Sequence, residues 1–474
     1  MARIVIVGAG IVGLGAATLL AGDGHEVTVL ERDPAPAPDA ADAAWCDWER
    51  RGVNQFRQPH GFQPRFCQIV EAEFPHVASA LETAGAFRCN FVRDLLPVSV
   101  TGGWRGGDER FEWLTGRRPF VEAVFAAQAQ STPGIEIRRG VGVTGLVVGA
   151  TDGPAVPHVI GVETASAEKI LCDLVVDMGG RRSTLPSWLA AAGAEPTNEE
   201  LEDCGFMYFG RHFRSHDGST PPLIGPPKID WGTISSLTLP ADNGTWCLGI
   251  VTSAKDKALF GLRRQDRWES AVRSLPLVAH FLNGTPIDDG VGVITKLEDR
   301  FRGFVVDGHP VVTGVISVGD AWAASNPTVG RGISIGMLHA QVLRDTIREV
   351  GLDSPCVFAS RFHQRTAVQV EPWYRVTLAG DRDRLAEVHA GIAGTTYQPD
   401  NDNSQRVKAV LAAAPLDPDC LRAALDIRSV LKLPEEIFQS DPALADKAAT
   451  LTTEADDVAT LGPSREQLLA MANA

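Results

Sequence analysis

Three short segments of this chain combine residue types that suit phosphates, ribose hydroxyls or an aromatic ring system. Gly8-Ala9-Gly10-Ile11-Val12-Gly13 carries glycine at its first, third and sixth positions. In such a run the first glycine permits a tight turn, the second lets a pyrophosphate approach the backbone, and the third lets helix and strand pack closely. Ile11 and Val12 lead into the helix that follows, whose unpaired N–H groups and partial positive charge attract the phosphates. Glu31-Arg32 follows at the end of the next apolar run. A carboxylate there accepts both ribose hydroxyls of an adenosine and disfavours a 2′-phosphate. The second segment joins Gly319-Asp320 to Pro327 and to Gly330-Arg331-Gly332-Ile333. The third, GVNQFRQPHGF (52–62), places Gln55, Arg57 and His60 in one loop.

Regular elements must bring these segments together. Residues 3–7 (RIVIV) read as a buried strand, 12–22 as a helix and 26–30 (EVTVL) as a second strand, a βαβ start with short connections. Residues 33–44 form a Pro/Ala/Asp loop, 63–84 are helical in pattern and 90–113 irregular or β. A helix opens near Pro119, a favourable first-turn residue, and runs to about Gln130. IEIRR (135–139) is a strand. VTGLVV (143–148) and VIGVETA (159–165) alternate around a turn at Asp152-Gly153-Pro154, and ILCDLVVDM (170–178) returns as a buried strand. FMYFGRHF, WGTISSLTL and TWCLGIVT, within 204–252, predict a separate antiparallel sheet. Residues 311–320 predict a buried strand ending in Gly-Asp, and a long helix starts near Arg331. Beyond 353 the chain is mainly helical and closes with a capping box at Ser464 and Gln467.

The net charge of −15 repels phosphate backbones, so no nucleic-acid partner is expected. A phosphate-bearing cofactor can still bind through backbone N–H groups. With 44% hydrophobic residues the chain can bury a large core without disulfide or metal. The eight cysteines show no metal-ligand spacing, which predicts free, mostly buried thiols in a reducing cytoplasm and no metal site. Residues 4–21 are uncharged, but glycines at 8, 10, 13 and 15 favour strand–turn–helix over a signal peptide or membrane span.

VISVGDAWAASNPTVGRGISIGMLHA (315–340) resembles the flavin motif of the FAD-dependent aromatic hydroxylase superfamily: strand, Gly-Asp, proline loop, Gly-x-Gly, helix. The resemblance implies an α/β chain. Its parts are a Rossmann-like FAD-binding domain of the glutathione reductase type, an inserted antiparallel β-sheet substrate domain and a helical C-terminal region. The implied boundaries are 1–85, 115–195 and 300–350 for FAD, 86–114 and 196–299 for the substrate sheet, and 351–474 for the helical region. Asp320 would hold the ribityl chain. Pro327, Gly330, Gly332 and Ile333 would bring backbone N–H groups toward the flavin ring. Arg118 would contact FAD, Val143 would pass the adenine, and Gln55 would border the flavin.

VVDMGGRRS (175–183) resembles the Asp-Gly segment of the hydroxylases, with their usual pair replaced by Gly179-Gly180. The form Asp-x-x-Gly-Arg-x-Ser is closer to the branch holding polyether-antibiotic epoxidases, flavin halogenases and prenyl reductases, and it places Gly180 at the cofactor. Residues 52–62 resemble an epoxidase segment, with Asn54 in place of its proline and Gln58 in place of its first histidine. The departure at 179–180 weakens the case for direct reduction, so NADH or NADPH is expected to supply electrons either directly or through a separate flavin reductase.

The expected activity is insertion of one oxygen atom from O2 into a small apolar or aromatic substrate. It would proceed by epoxidation or hydroxylation through a flavin C4a-hydroperoxide, in specialised metabolism. Arg57, His60 and Arg331 are the expected catalytic positions. Trp322, Asn326, Phe206, Tyr208, His212 and Trp246 are expected at the substrate, with core packing the competing reading for the aromatics. Halogenases of this superfamily need an early lysine and a Trp-x-Trp-x-Ile-Pro motif, whereas this chain has no lysine before Lys169. An FAD-dependent alkene or prenyl reductase is the alternative. A non-enzymatic binding protein resembling the GDP-dissociation inhibitors would have lost the flavin motif.

Overall fold

A computed structural model describes residues 1–53, 55–149, 156–399, 401–452 and 461–474. Asn54 and the turn expected at 152–154 lie outside them. Five strands form one parallel sheet in the order Val315–Ser317, Leu174–Asp177, Arg3–Val7, Glu26–Glu31, Ile135–Arg139. The chain leaves the central strand Arg3–Val7 toward one side first and later returns on the other. A topological switch point therefore lies at that strand's carboxyl end, where open α/β sheets bind ligands.

Helices Ile11–Gly22, Arg118–Ser131 and Gly332–Val350 share one core with this sheet. Of these, the first and last pack closely because glycines remove side chains at their crossing. A Cβ at Gly336 would sit 2.7 Å from the Val12 side chain, and one at Gly15 would sit 2.7 Å from Met337. The expected strand over 311–320 is only Val315–Ser317, because Gly314 and Gly319 adopt φ of +74° and +63° and interrupt the extended run. Residues 170–178 divide likewise. Lys169–Leu171 joins a three-stranded meander with Val143–Val148 and Val159–Thr164, and Leu174–Asp177 enters the main sheet. The 33–44 loop gives way at Ala41 to a short helix, Ala41–Cys46. Residues 90–113 contain a π-turn at Phe91–Leu95 that Asn90 caps by accepting from the Val92 and Arg93 N–H groups.

The second large sheet is antiparallel: Lys228–Trp231, Ile234–Pro240, Thr245–Ser253, Phe206–Arg214, Thr285–Pro286, with Gly292–Ile294 also paired to Phe206–Arg214. Every residue of Thr245–Ser253 is buried, so both faces of this sheet are covered. The back face carries Met207, Phe209, Phe213, Trp246 and Trp268 in one apolar cluster with Leu468 and Ala472 of the last helix, Arg465–Asn473. The front face meets the 52–63 segment, through Pro59 on Gly210, and the Asn326 loop, through Tyr208. Among the described residues no helix is long and apolar enough to cross a membrane.

Candidate functional site

The sequence motifs converge on the carboxyl edge of the parallel sheet. Gly8 has φ +113°, and a Cβ there would sit 2.4 Å from the Met178 carbonyl oxygen. The glycine loop and the segment after Asp177 therefore touch backbone to backbone. A Cβ at Gly13 would meet the Gly8 carbonyl oxygen at 2.1 Å, which is the close helix–strand approach expected of the third glycine. Gly10 has nothing within 4 Å of its Cβ position, so the space over the helix N-terminus is open where a pyrophosphate would lie.

Glu31 is buried and engaged. It accepts from the Ala9 N–H at 2.9 Å, the Asp33 N–H at 3.0 Å and the Arg50 guanidinium at 2.6 Å. Arg50 also pairs with Asp33 and with Glu122. Burial acts to lower the Arg50 pKa, but three surrounding carboxylates outweigh it and raise it. This buried cluster was not legible in the sequence, since Arg50 lies in an undistinguished loop. Arg32, by contrast, is exposed and lies against Gly52. Val143 begins its strand two residues after Val141, whose N–H donates to the Glu31 carbonyl, so it passes the same end of the sheet.

The Gly-Asp loop forms the other side. Asp320 is half-buried and its carboxylate makes no hydrogen bond or ion pair among the described residues. A Cβ on Gly332, the first residue of the long helix, would lie 3.6 Å from Asp320 Oδ1. Gly332 itself is exposed, Ile333 half-buried, and Gly330 adopts φ +69° with its backbone against the Gly61 carbonyl. An open phosphate cradle, an unpartnered carboxylate and a bare helix N-terminus fit a flavin dinucleotide. Pro327 begins the short turn Pro327–Val329 that links them.

Asp177 is fully buried and accepts from the Ser183 hydroxyl at 2.5 Å, the Gly179 N–H at 3.0 Å and the Ser317 hydroxyl at 3.1 Å. Burial raises its pKa, and these donors oppose the rise. The Asp-x-x-Gly-Arg-x-Ser spacing thus closes a loop on itself, with Gly180 at φ +71° and open space around it.

The 52–63 segment bridges the two halves. His60 Nδ1 lies 2.9 Å from the Gln58 carbonyl and Nε2 lies 3.4 Å from Arg118 Nη1. Only the carbonyl can accept at Nδ1, so Nδ1 carries the proton and Nε2 accepts from Arg118. Burial, then the Arg118 charge, pushes the His60 pKa down to about 3, so the ring is neutral. Arg57 donates to the Trp45, Cys46 and Trp48 carbonyls. Gln55 is half-buried and uses its backbone carbonyl to hold the Gln58 N–H. Arg331 is buried and donates to Thr377 Oγ1 and to the Ile427 and Arg428 carbonyls, which ties the Gly330–Gly332 turn to the C-terminal helices. Burial lowers its pKa to about 10.

Strand register separates the expected substrate residues. Phe206, Tyr208 and His212 alternate onto the front face, whereas Trp246 pairs with Phe213 and donates its indole N–H to Phe281 O on the back. Trp322 packs edge-on against Phe301 and His339 in the main core. The His212 ring lies 4.6 Å from that of Trp45 at a tilt of 55°, and burial lowers its pKa. Tyr208 and Asn326 meet directly. The phenol hydroxyl donates to Asn326 Oδ1 and lies 2.6 Å from Thr328 Oγ1. Asn326 Nδ2 donates to Asp381 at 2.9 Å. Asp381 is buried, and its Oδ2 has no partner among the described residues; nor does Asp299 Oδ1. Burial, with the charge of Asp299 added, raises Asp381 to about 8, and burial raises Asp299 to about 6. No sequence pattern marked this acid pair, which comes from a helix and a strand far apart in the chain.

The fold is the one found in solved flavin-dependent monooxygenases and halogenases. Residues 3–46 match the model of the FAD dependent oxidoreductase family. The Mycobacterium tuberculosis protein Rv3254 is 27% identical over 403 residues, covering 80% of this chain and 79% of that protein. PqsL, a probable FAD-dependent monooxygenase from Pseudomonas aeruginosa, superposes with a TM-score of 0.58 at 16% identity, over 82% of this chain and 99% of its own. The flavin-dependent brominase Bmp2 superposes at 0.59 with 15% identity, over 94% and 99%. At these identities the structural likeness establishes the fold.

Proposed function

We propose that this protein is an FAD-dependent monooxygenase that inserts one atom of O2 into a small apolar or aromatic substrate, by epoxidation or hydroxylation, in specialised metabolism. The observation that carries the reading is Asp320. It is a half-buried carboxylate without a partner among the described residues, beside an exposed helix N-terminus, on the loop that carries Asn326, the partner of Tyr208. FAD, when bound, supplies the redox and oxygen chemistry, and the chain supplies binding, orientation and exclusion of water. Gly8–Gly13 would hold the diphosphate, Asp320 would accept from a ribityl hydroxyl, and Gly332 and Ile333 would direct N–H groups to the ring.

Both His60 nitrogens are engaged and the ring is neutral, and Arg57 is committed to carbonyls. With no free strong base on this segment, the site suits oxygen transfer to an alkene better than deprotonation of a phenol. NADH or NADPH would supply electrons, directly or through a separate flavin reductase. The lack of any lysine before Lys169 weighs against halogenation despite the halogenase neighbours.

The test begins with the colour of the purified protein and its retention of FAD. Holoenzyme photoreduced without oxygen and then exposed to 18O2 with a panel of alkenes and arenes should give products carrying one 18O atom. Products that gain two hydrogens and no 18O would overturn the reading in favour of an alkene reductase. Anaerobic mixing with NADPH separates direct reduction, seen as rapid bleaching, from the need for a reductase.

A further inference from the structure

Asp320 is aimed by the turn that carries it. The strand Val315–Ser317 gives way at Gly319, which bends the chain at φ +63° into the tight turn Gly319–Ala321. Gly319 sits against the crossing of the helices Ile11–Gly22 and Gly332–Val350. A Cβ there would lie 3.6 Å from the Val12 side chain and 3.8 Å from the Gly336 Cα. The Gly319 carbonyl accepts from the Trp322 N–H at 2.9 Å and closes the turn. The Gly319 N–H donates to Nδ1 of His339 at 3.3 Å.

His339 follows one turn beyond Gly336 on the helix Gly332–Val350 and is fully buried. A backbone N–H can only donate, so Nδ1 carries no proton. The proton therefore sits on Nε2, which donates to Thr366 Oγ1 at 3.1 Å. Burial pushes the His339 pKa down to about 3, so the ring is neutral and this tautomer persists. Phe362 stacks on the ring, with centres 5.1 Å apart and planes 5° apart, and Trp322 meets it edge-on at 4.8 Å. Thr366 and Phe362 both belong to the helix Pro355–Gln369. That helix thus sets the plane and tautomer of the imidazole, whose one acceptor is spent on the residue before Asp320. An apolar side chain could fill the same space in this core; the imidazole adds the acceptor.

We infer that His339 is a positioning residue for FAD: its unprotonated Nδ1 fixes the Gly319 peptide, and through it the direction of the Asp320 carboxylate that receives the cofactor. A buried N–H deprived of its acceptor is costly, so the turn shifts to find another. A small shift of that kind takes a carboxylate out of hydrogen-bond range. This rests on the proposed function only for Asp320 holding FAD, and it names a residue on the far side of the turn that governs the hold.

Three substitutions, read by the FAD released on dilution and ultrafiltration of holoenzyme, test it. His339→Asn presents a carbonyl oxygen where Nδ1 stands, His339→Gln reaches toward Thr366 instead, and His339→Leu offers neither bond. His339→Leu and His339→Gln should each weaken FAD binding by about five- to ten-fold, while His339→Asn stays within about two-fold of the native protein. A histidine that merely filled space would give the opposite order, because asparagine is the smallest of the three and leaves the largest cavity. In an Asp320→Ala background His339→Leu should add less than about two-fold, since its effect passes through a carboxylate no longer present. Circular dichroism confirms that each variant is folded, and His339→Gln carries the comparison if His339→Leu does not fold. Native FAD affinity in His339→Leu and His339→Gln, a loss in His339→Asn as large as theirs, or losses that multiply in the double variant would each overturn the inference. Asp320→Ala that holds FAD as the native protein does would overturn it together with the role of Asp320 in the proposed function. A loss in Asp320→Ala with none in His339→Leu or His339→Gln would overturn this inference alone.

Discussion

At the residue scale two carboxylates decide the most. Asp320 is left without a protein partner beside the helix N-terminus. A charge-assisted hydrogen bond contributes about 1.5–3 kcal/mol, so Asp320→Ala should weaken FAD retention by roughly ten-fold or more. Ultrafiltration of the flavin released on dilution measures it. Asp381 is the second. Unfolded, it loses its proton near 3.8, while in the fold burial and Asp299 hold the proton to about 8. The folded state therefore binds an extra proton between those values. Its contribution to stability is fully present below about pH 4 and is lost as pH rises toward 8. Asp381→Asn keeps an acceptor for Asn326 and cannot ionise. Its melting temperature relative to the native protein should climb across that window, by the equivalent of about 2 kcal/mol or more. A difference that stays flat from pH 4 to 8 would contradict this.

At the scale of elements, the two halves of the molecule are joined by a buried ion pair. Arg117 precedes the helix Arg118–Ser131 and makes a two-pronged contact with Asp242 of the antiparallel domain, at 2.6 Å and 3.0 Å. Asp242→Ala leaves the buried Arg117 with only the more exposed Asp42, 3.3 Å away, and should cost about 3 kcal/mol in urea unfolding. The double change Arg117→Met with Asp242→Leu should cost clearly less, because it removes both charges together. The sequence announced the elements on either side of this pair but not the pair. The glycine loop, the Gly-Asp turn and the alternating strands were legible because each depends on local φ, period or capping. Arg50 with its three carboxylates, Arg117 with Asp242, and Asp381 with Asn326 depend on contacts between distant segments, which no local pattern records. Trp246 shows the same limit at one position. Its strand was correctly placed, but which face it takes follows from the register with Phe206–Arg214.

At the scale of the whole molecule, the last helix closes the structure from behind. Leu468 and Ala472 are buried against Trp268 and its neighbours, and Arg465 pairs with Asp256 at 2.7 Å. Ending the chain at residue 463 would bare an apolar sheet face. Removing two such buried side chains costs roughly 3 kcal/mol or more before any cavity term. The shortened protein should melt earlier and aggregate on light scattering, while FAD bound to the surviving fold keeps its spectrum. Loss of FAD ahead of unfolding would show instead that the tail supports the cofactor site.

Arg331 is moored at both ends of one short stretch of chain. Its guanidinium donates to the Ile427 and Arg428 carbonyls, at the end of the helix Pro418–Arg428, while its backbone stands at the head of the Gly332–Val350 helix. The C-terminal helices therefore act as a clamp on the Gly-x-Gly turn, and bound FAD becomes an optical gauge of how tightly that clamp holds. The visible bands of the holoenzyme should shift in Arg331→Met, and unchanged bands would show that the turn keeps its place without the clamp.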